Sequence, residues 1–374
     1  MIRDSIRTDA YARAFRECIT TDSVVLDMGT GVGILALLAC QYGARKVYAV
    51  DPNSAIQVAR DFAVANGYED RIEFIQDMTT RITLPEQADV IVAAMHGVLP
   101  MFEQNLASII DARSRLLAPG GRIIPEKETL WAVPVESPES YDEFVLPWSV
   151  NSYGLDMQGA LRFTTNQWRR PKEKITPEQF LAEPACWATL DYGILESTGV
   201  IGRASWTATR AGSGHGLVVW FDTFLLEGVS FSNAPGAPEL VFGHAFFPWR
   251  EPVSISPGDT ISVELRADLF GHDYFWTWET VVLEQGRAKK PKAKFKQSSI
   301  LGAAASANLH KRAHEHIPKL NDEGQVEQLV LSLMDGENSI EGIATKTIAQ
   351  FPNRFANGDD ALTFAADLSE RYSA

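Results

Sequence analysis

An acid, Asp27, closes the apolar run "VVLDM", and three glycines follow at alternate positions, Gly29, Gly31 and Gly33, before the apolar stretch "ILALLACQ". Glycines so placed let backbone approach a ligand closely. A triphosphate loop would need a lysine after the last glycine, and none follows Gly33. A dinucleotide site wants GxGxxG, whereas the spacing here is GxGxG. Asp27 would repel a pyrophosphate but suits an ammonium. The next strand-like run ends at Asp51, where a carboxylate can accept both hydroxyls of a ribose. A third ends at Asp77-Met78, an acid and an apolar side chain able to meet an adenine's edge and face. An ammonium, a ribose and an adenine without phosphate describe S-adenosylmethionine, whose product would be S-adenosylhomocysteine. The order of these features favours that ligand over NAD.

The elements that must carry these residues are legible in the pattern. Residues 1–20 read as a helix with Ile2, Ile6, Tyr11, Ala14 and Phe15 along one face. Strands "SVVLDM", "KVYAVD", "IEFIQD" and "ADVIVAAM" alternate with the helices "GILALLACQYG", "SAIQVARDFAVANG" and "MFEQNLASIIDARSRLL". "PGGRIIP" begins another strand. Repeated β-α units predict a parallel sheet covered on both faces. From about 126 to 285, short apolar strands separated by Pro/Gly turns predict an antiparallel barrel or sandwich. Residues 148–185 read as a helical excursion from it. The expected organisation is α/β: a Rossmann-like domain over 1–125, a barrel over 126–285 and a basic linker over 286–320. A small all-α module over 321–374 completes it.

Composition bounds the rest. The chain has 374 residues and a formal net charge of -14, which disfavours nucleic acid as a partner. The stretch "RAKKPKAKFK" is the local exception, read as a solvated linker or a dock for an acidic peptide. Cys18, Cys40 and Cys186 stand apart, which argues against a disulfide framework and a zinc site. His310, His314 and His316 have helical spacing but only Glu315 beside them, so they read as a solvated face, and no metal is expected. With no long apolar span and no signal-like N-terminus, a cytoplasmic protein without membrane contact is the simple expectation.

In order, these motifs resemble the protein arginine methyltransferases from Met1 to about residue 285. "MIRDSIRTDAY" is similar to that family's entry helix, "VVLDMGTGVGILALLACQYGARKVYAVD" to its glycine loop and ribose acid, and "LAPGGRIIPEKETLWAVPVE" to its crossing into a barrel. "VNSYGLDM" resembles the start of its dimerisation arm, and "SNAPGAP" and "VSISPGDTISVEL" its barrel segments. The resemblance implies a class I S-adenosylmethionine methyltransferase fold and a homodimer formed through the arm. It also implies that Arg7 reaches the cofactor carboxylate. The family's N-terminal aromatic helix has no counterpart in the sequence.

The acceptor side departs from the family. Of its two hairpin glutamates, the second falls on Glu103, but the first falls on Ala94 and the neighbouring aromatic on Met95. Its Thr-His-Trp loop falls roughly on Leu240-Val241-Phe242, without the histidine. Two carboxylates suit a guanidinium, whereas one suffices to steer an amine. Glu103 is therefore the expected acceptor clamp, His96 in the same loop the candidate general base, and His244 a candidate pocket residue. The predicted activity is N-methylation of an amine on a peptide. Arginine methylation in a rebuilt pocket and a catalytically silent peptide-binding scaffold are the alternatives.

The tail is similar to something else. "VEQLVLSLMDGENSIEGIATKTIAQF" predicts two amphipathic helices, with Val326, Leu329, Val330 and Leu333 on one face of the first and Ile340, Ile343, Ala344 and Thr347 on one face of the second. Asn338 is the expected cap of the second, with Glu341 three residues on. A third helix is expected over about 359–371. "VLSLMDGENSIEGIA", "FPNRF" and "DALTFAADLSERY" resemble the helical part of PqqD-like modules. That implies a precursor-peptide leader as a partner, in the maturation of a ribosomally made peptide.

Overall fold

The computed structural model describes residues 3–150, 152–286, 291–302, 317–355 and 357–373. Two compact units divide the chain, Met1–Ser306 and Ala307–Ala374.

The first unit opens with α1 (Ser5–Cys18), capped by the Asp4 carboxylate, which accepts from the Arg7 N–H. Arg7, Ala10, Tyr11, Ala14 and Phe15 form its buried face. Five parallel strands follow: β1 (Val24–Met28), β2 (Lys46–Val50), β3 (Ile72–Ile75), β4 (Ala88–Ala93) and β5 (Leu117–Ile124). They are linked through α2 (Ile34–Gln41), α3 (Ile56–Asn66) and α4 (Asn105–Arg115). The order β3-β2-β1-β4-β5 reverses beside β1. In such sheets the crevice beyond the strand ends at that reversal is where ligands bind. All of β1 is buried, so it reads as a continuous apolar run ended by Asp27-Met28.

Two antiparallel sheets form the rest of the unit. In one, β6 (Lys127–Val135), β7 (Ala185–Asp191), β9 (Gly212–Leu226) and β10 (Val229–Ser232) lie in the order β10-β9-β6-β7, with β11 (Ala245–Ile255) also on β9. The other runs β14-β13-β12-β8, from β8 (Val200–Thr207), β12 (Thr260–Phe270), β13 (Asp273–Leu283) and β14 (Pro291–Ser298). The parallel sheet and these sheets share one continuous apolar core.

Two expectations shift. The helical excursion begins earlier than 148, with α5 (Pro138–Ser149), because Ser137 and Pro138 form a helix start directly after β6. It continues through short 3-10 turns and α6 (Leu161–Thr164). Residues 291–298, expected within a linker, are β14, followed by α7 (Ser299–Gly302). The lysines mask a period-two pattern: Lys292, Lys294 and Lys296 point out, while Phe295 and Gln297 are buried. Lys292 pairs with Asp259 at 2.6 Å and Lys296 with Glu279 at 2.6 Å. The histidines His310, His314 and His316 lie outside the described residues.

The second unit holds α8 (Asp322–Ser332), α9 (Ile340–Gln350) and α10 (Gly358–Tyr372) around Val330, Ile343, Ala344, Ala361, Ala365 and Leu368. The expected stripes face this core, except that Ile340 is exposed. Ser339, not Asn338, caps α9, its hydroxyl accepting from the Gly342 N–H at 3.1 Å. Asn338 instead donates to the Leu333 carbonyl and accepts from Lys346.

Candidate functional site

The glycine loop closes over β1 in left-handed backbone, with φ of +67° at Gly29, +55° at Gly31 and +82° at Gly33. Two of these positions also lack room. A Cβ at Gly29 would lie 2.7 Å from Met95 Cγ, and one at Gly33 would lie 2.8 Å from Ala59 Cβ. Gly31 faces open space, and its N–H donates to Asp51 Oδ2 at 2.8 Å. The Asn53 N–H donates to the other Asp51 oxygen at 2.8 Å, so the β2-end carboxylate is fixed beside the loop.

Asp27 and Arg7 make the most demanding pair. Both are 1% exposed. The Thr30 hydroxyl donates to Asp27 Oδ2 at 2.6 Å, yet burial still raises this carboxyl to about 6, against the opposing pull of Thr30 and Arg7. Arg7 lies over the Tyr11 ring at 5.0 Å, and its Nε and Nη1 are buried without a protein partner. An uncompensated buried guanidinium is costly, so these atoms call for an anion. A buried acid within electrostatic reach of a buried orphaned cation suits the zwitterionic end of an amino acid. With Asp51 at ribose reach along the loop, the chain's own groups fit S-adenosylmethionine. Asp77 and Met78 stand half-buried just past β3, the Asp77 carboxylate accepting from the Met78 N–H at 2.7 Å. The structure sets Asp51 against the glycine loop, Asp27 at its base and Arg7 within electrostatic reach of Asp27.

Of the three acceptor-side candidates, Glu103 and His96 share the hairpin after β4, while His244 lies elsewhere. Glu103, in the turn before α4, is exposed and has φ +44°, a left-handed conformation that is uncommon for a side-chain-bearing residue. The turn is closed by Phe102, which packs so tightly on Gly97 that a Cβ there would lie 2.7 Å from its ring. His96 is not exposed in the loop: its side chain is 0% exposed, and Nε2 lies 2.5 Å from Glu128 Oε1. His244 lines a separate cavity of about 210 Å³ with Arg170, Lys174, Asn233 and Glu239. That lining includes neither the glycine loop, His96 nor Glu103. Burial, then the nearby Arg170 charge, lowers the His244 imidazole to about 4, so it is neutral at pH 7.

Glu128 was missed in the sequence. It is wholly buried on β6 and accepts from Tyr192 at 2.5 Å and Thr223 at 2.8 Å, besides its contact with His96. Its one available signal was parity, since it shares the inward face of "KETLWAVPV" with Leu130 and Ala132. The segment aligned with the family's Thr-His-Trp loop still reaches the site by other means. Phe242 sets its ring edge against His96 at 5.5 Å, and the Val241 N–H donates to Asp4 Oδ2 at 2.9 Å.

Residues 8–129 match the family model described as ribosomal protein L11 methyltransferase (PrmA). Protein arginine N-methyltransferase 6 of Xenopus tropicalis is 33% identical over 276 residues, covering 70% of this chain and 80% of that one. The probable protein arginine N-methyltransferase 6 of Arabidopsis thaliana is 31% identical over 245 residues, covering 64% of this chain; the chain spans 55% of that relative's length. Two solved structures share the fold. The Trypanosoma brucei PRMT1 enzyme-prozyme heterotetrameric complex with AdoHcy has a TM-score of 0.72 at 24% identity, covering 80% of this chain and 95% of that one. Arabidopsis thaliana protein arginine methyltransferase 10 has a TM-score of 0.69 at 24% identity, covering 80% and 96%.

Proposed function

This chain belongs to the protein arginine N-methyltransferase family and is an S-adenosylmethionine-dependent methyltransferase, and from that premise we propose that its acceptor is an amine nitrogen of a peptide. The observation that carries this reading is the hairpin after β4. Where the family holds its first glutamate this chain has Ala94, 6% exposed, leaving Glu103 as the hairpin's one carboxylate. A guanidinium has a pKa near 13.8 and an alkyl amine near 10.4. Supplying a neutral amine at pH 7.4 costs about 3 units, roughly 4 kcal/mol, within reach of one base and good positioning. A guanidinium costs far more without a second carboxylate to share its charge.

Bound S-adenosylmethionine would supply a sulfonium methyl carbon for a nitrogen lone pair to attack, with the thioether of S-adenosylhomocysteine as the leaving group. Arg7 and Asp27 hold the ligand's amino-acid end, Asp51 its ribose, and Asp77 with Met78 its adenine. Glu103 steers an acceptor N–H and stabilises the ammonium product. Its strained backbone fits a residue held for function rather than for folding.

The partner readings follow from exposed apolar groups. On the excursion after β6, Leu146, Val150, Leu155, Met157 and Phe163 are all more than a third exposed, and Tyr153 is fully exposed. Such a patch suits a second copy of this chain, hence a homodimer. The three-helix tail supports a PqqD-like role in holding a precursor peptide by its leader, which would place the reaction in the maturation of a ribosomally made peptide. Among the described residues no helix is long and apolar enough to cross a membrane; a cytoplasmic enzyme is the accompanying proposal. A silent scaffold is disfavoured by the complete set Arg7, Asp27 and Asp51. Arginine methylation in the rebuilt pocket is the second reading, favoured by family membership.

The test is to incubate the enzyme with methyl-labelled cofactor and synthetic peptides carrying Lys, Arg or a free α-amine. Fragment masses then locate the label. The proposal expects it on an amine, with turnover lowered in Glu103→Gln. Label on a guanidinium, indifferent to Glu103→Gln, would overturn it.

A further inference from the structure

Four elements distant in sequence meet around His96. Met95, its neighbour, packs against Gly29, so the imidazole begins one residue from the floor of the cofactor crevice. The ring stacks on Phe221 at 5.4 Å with 13° between planes, and Phe242 closes its edge. Nε2 meets Glu128, whose two oxygens also accept from the Tyr192 and Thr223 hydroxyls. Three contacts on two oxygens describe a carboxylate acting purely as acceptor, so Nε2 is the donating nitrogen.

The other nitrogen is the telling one. His96 Nδ1 is buried and has no hydrogen-bond partner in the protein. The Tyr11 hydroxyl is likewise buried and unpartnered, and Tyr11 lies within electrostatic reach of Arg7, Glu128 and Asp27. An orphaned buried polar atom costs about 1–3 kcal/mol, so His96 Nδ1 calls for a partner that the protein itself does not supply. Arg7 lies over the Tyr11 ring, and Tyr11 in turn lies within electrostatic reach of Glu128, the partner of His96.

We propose that Glu128 is a positioning residue that fixes His96 in the Nε2–H form, leaving the Nδ1 lone pair to take the proton shed by the acceptor nitrogen. The inference rests on the amine-methylation reading and assigns its base. An N–H bond of the acceptor ammonium breaks, its electron pair stays on nitrogen, and the proton forms the Nδ1–H bond. The resulting imidazolium faces the Glu128 carboxylate, which balances its charge, and the proton later leaves to solvent. This arrangement replaces the first hairpin carboxylate, lost at Ala94, with a neutral base, which selects an acceptor that must lose a proton.

The test needs no identified peptide. Full-length protein labelled with ¹⁵N-histidine is studied by long-range ¹H–¹⁵N NMR, alone, with S-adenosylhomocysteine, and with sinefungin, whose amine stands in the place of the transferable methyl. The expected result is the Nε2–H tautomer for His96 in the free and S-adenosylhomocysteine-bound protein, with Nδ1 shifting towards a hydrogen-bonded or protonated position only with sinefungin. Glu128→Gln should turn the single tautomer into a mixture while S-adenosylhomocysteine affinity stays within about threefold. Tyr192→Phe, which keeps both members of the pair, should retain the tautomer even if Glu128→Gln does not fold. Nδ1–H at rest, or an Nδ1 unmoved by sinefungin, overturns the inference while leaving methyl transfer intact. Failure to bind S-adenosylhomocysteine at all would remove the methyl-transfer reading and this inference together.

Discussion

The two sides of the crevice are built by different rules. On the cofactor side, each group sits at the end of a parallel strand or on the helix that covers it. Gly29, Gly31, Gly33 and Asp51 are fixed by bonds spanning at most about one β-α unit, such as Gly31 N–H to Asp51. On the acceptor side, His96 is held by residues from β6, β9 and the loop after β7, and Glu103 stands apart in a left-handed turn. A ligand common to many enzymes is held by local geometry. The proposed acceptor side draws on long-range contacts, and it is there that Ala94 stands where the family's first glutamate falls.

The comparison breaks first at Arg7, where the largest effect is expected. Arg7→Met removes a buried cation whose Nε and Nη1 lack protein partners. Affinity for S-adenosylhomocysteine should fall about 100-fold, from the loss of roughly 3 kcal/mol in charge-assisted bonds. The unliganded protein should also melt lower, because the buried Asp27 carboxylate loses the charge that offsets its burial. Calorimetric titration and a thermal melt check both halves; an unchanged affinity would break the cofactor side of the contrast.

Asp27 gives the next effect. Its carboxyl is raised to about 6 by burial. Binding the ligand ammonium needs the ionised form, so S-adenosylhomocysteine affinity should weaken about tenfold from pH 7 to pH 5. The unliganded fold has the opposite sign. A raised carboxyl favours the protonated native state, so its contribution to stability is present below the unfolded value and lost as pH rises through about 6. Titrations and denaturant melts at pH 5 and pH 7 should therefore move in opposite directions in wild type, and neither trend should survive in Asp27→Asn.

The acceptor side is probed by smaller changes. Thr223→Val deletes one donor to the buried Glu128 and should cost about 1–2 kcal/mol of stability while leaving cofactor affinity unchanged. Glu103→Gly should cost almost nothing. An exposed residue changed to glycine ordinarily loses roughly 0.5–1 kcal/mol, but relief of the left-handed strain at φ +44° offsets it. A full 1 kcal/mol loss on urea unfolding would show that the turn is not strained.

What the sequence disclosed follows the same divide. The glycine spacing, Asp51 and the parallel strands were legible because their signals are local and periodic. β14 was hidden by its lysines, whose outward alternation looks like a solvated linker until Phe295 and Gln297 are seen facing in. Glu128 carried only a parity hint, and Tyr192 and Thr223, at separations of 64 and 95 residues from it, could be joined to it only by the fold. His96 was picked out by type, but its burial against Glu128 was not visible in the hairpin's own residues. In the tail, Asn338 and Ser339 are both good caps, and only the φ of the helix start decides between them.

The independence of the two sides is tested most directly by titrating S-adenosylhomocysteine into wild type, Asp51→Ala, Glu103→Gln and Glu128→Gln side by side. The account predicts that Asp51→Ala loses about 100-fold in affinity, through two lost carboxylate bonds, while the two acceptor-side variants bind like wild type. Equal weakening in Glu103→Gln or Glu128→Gln, or unimpaired binding in Asp51→Ala, would contradict it.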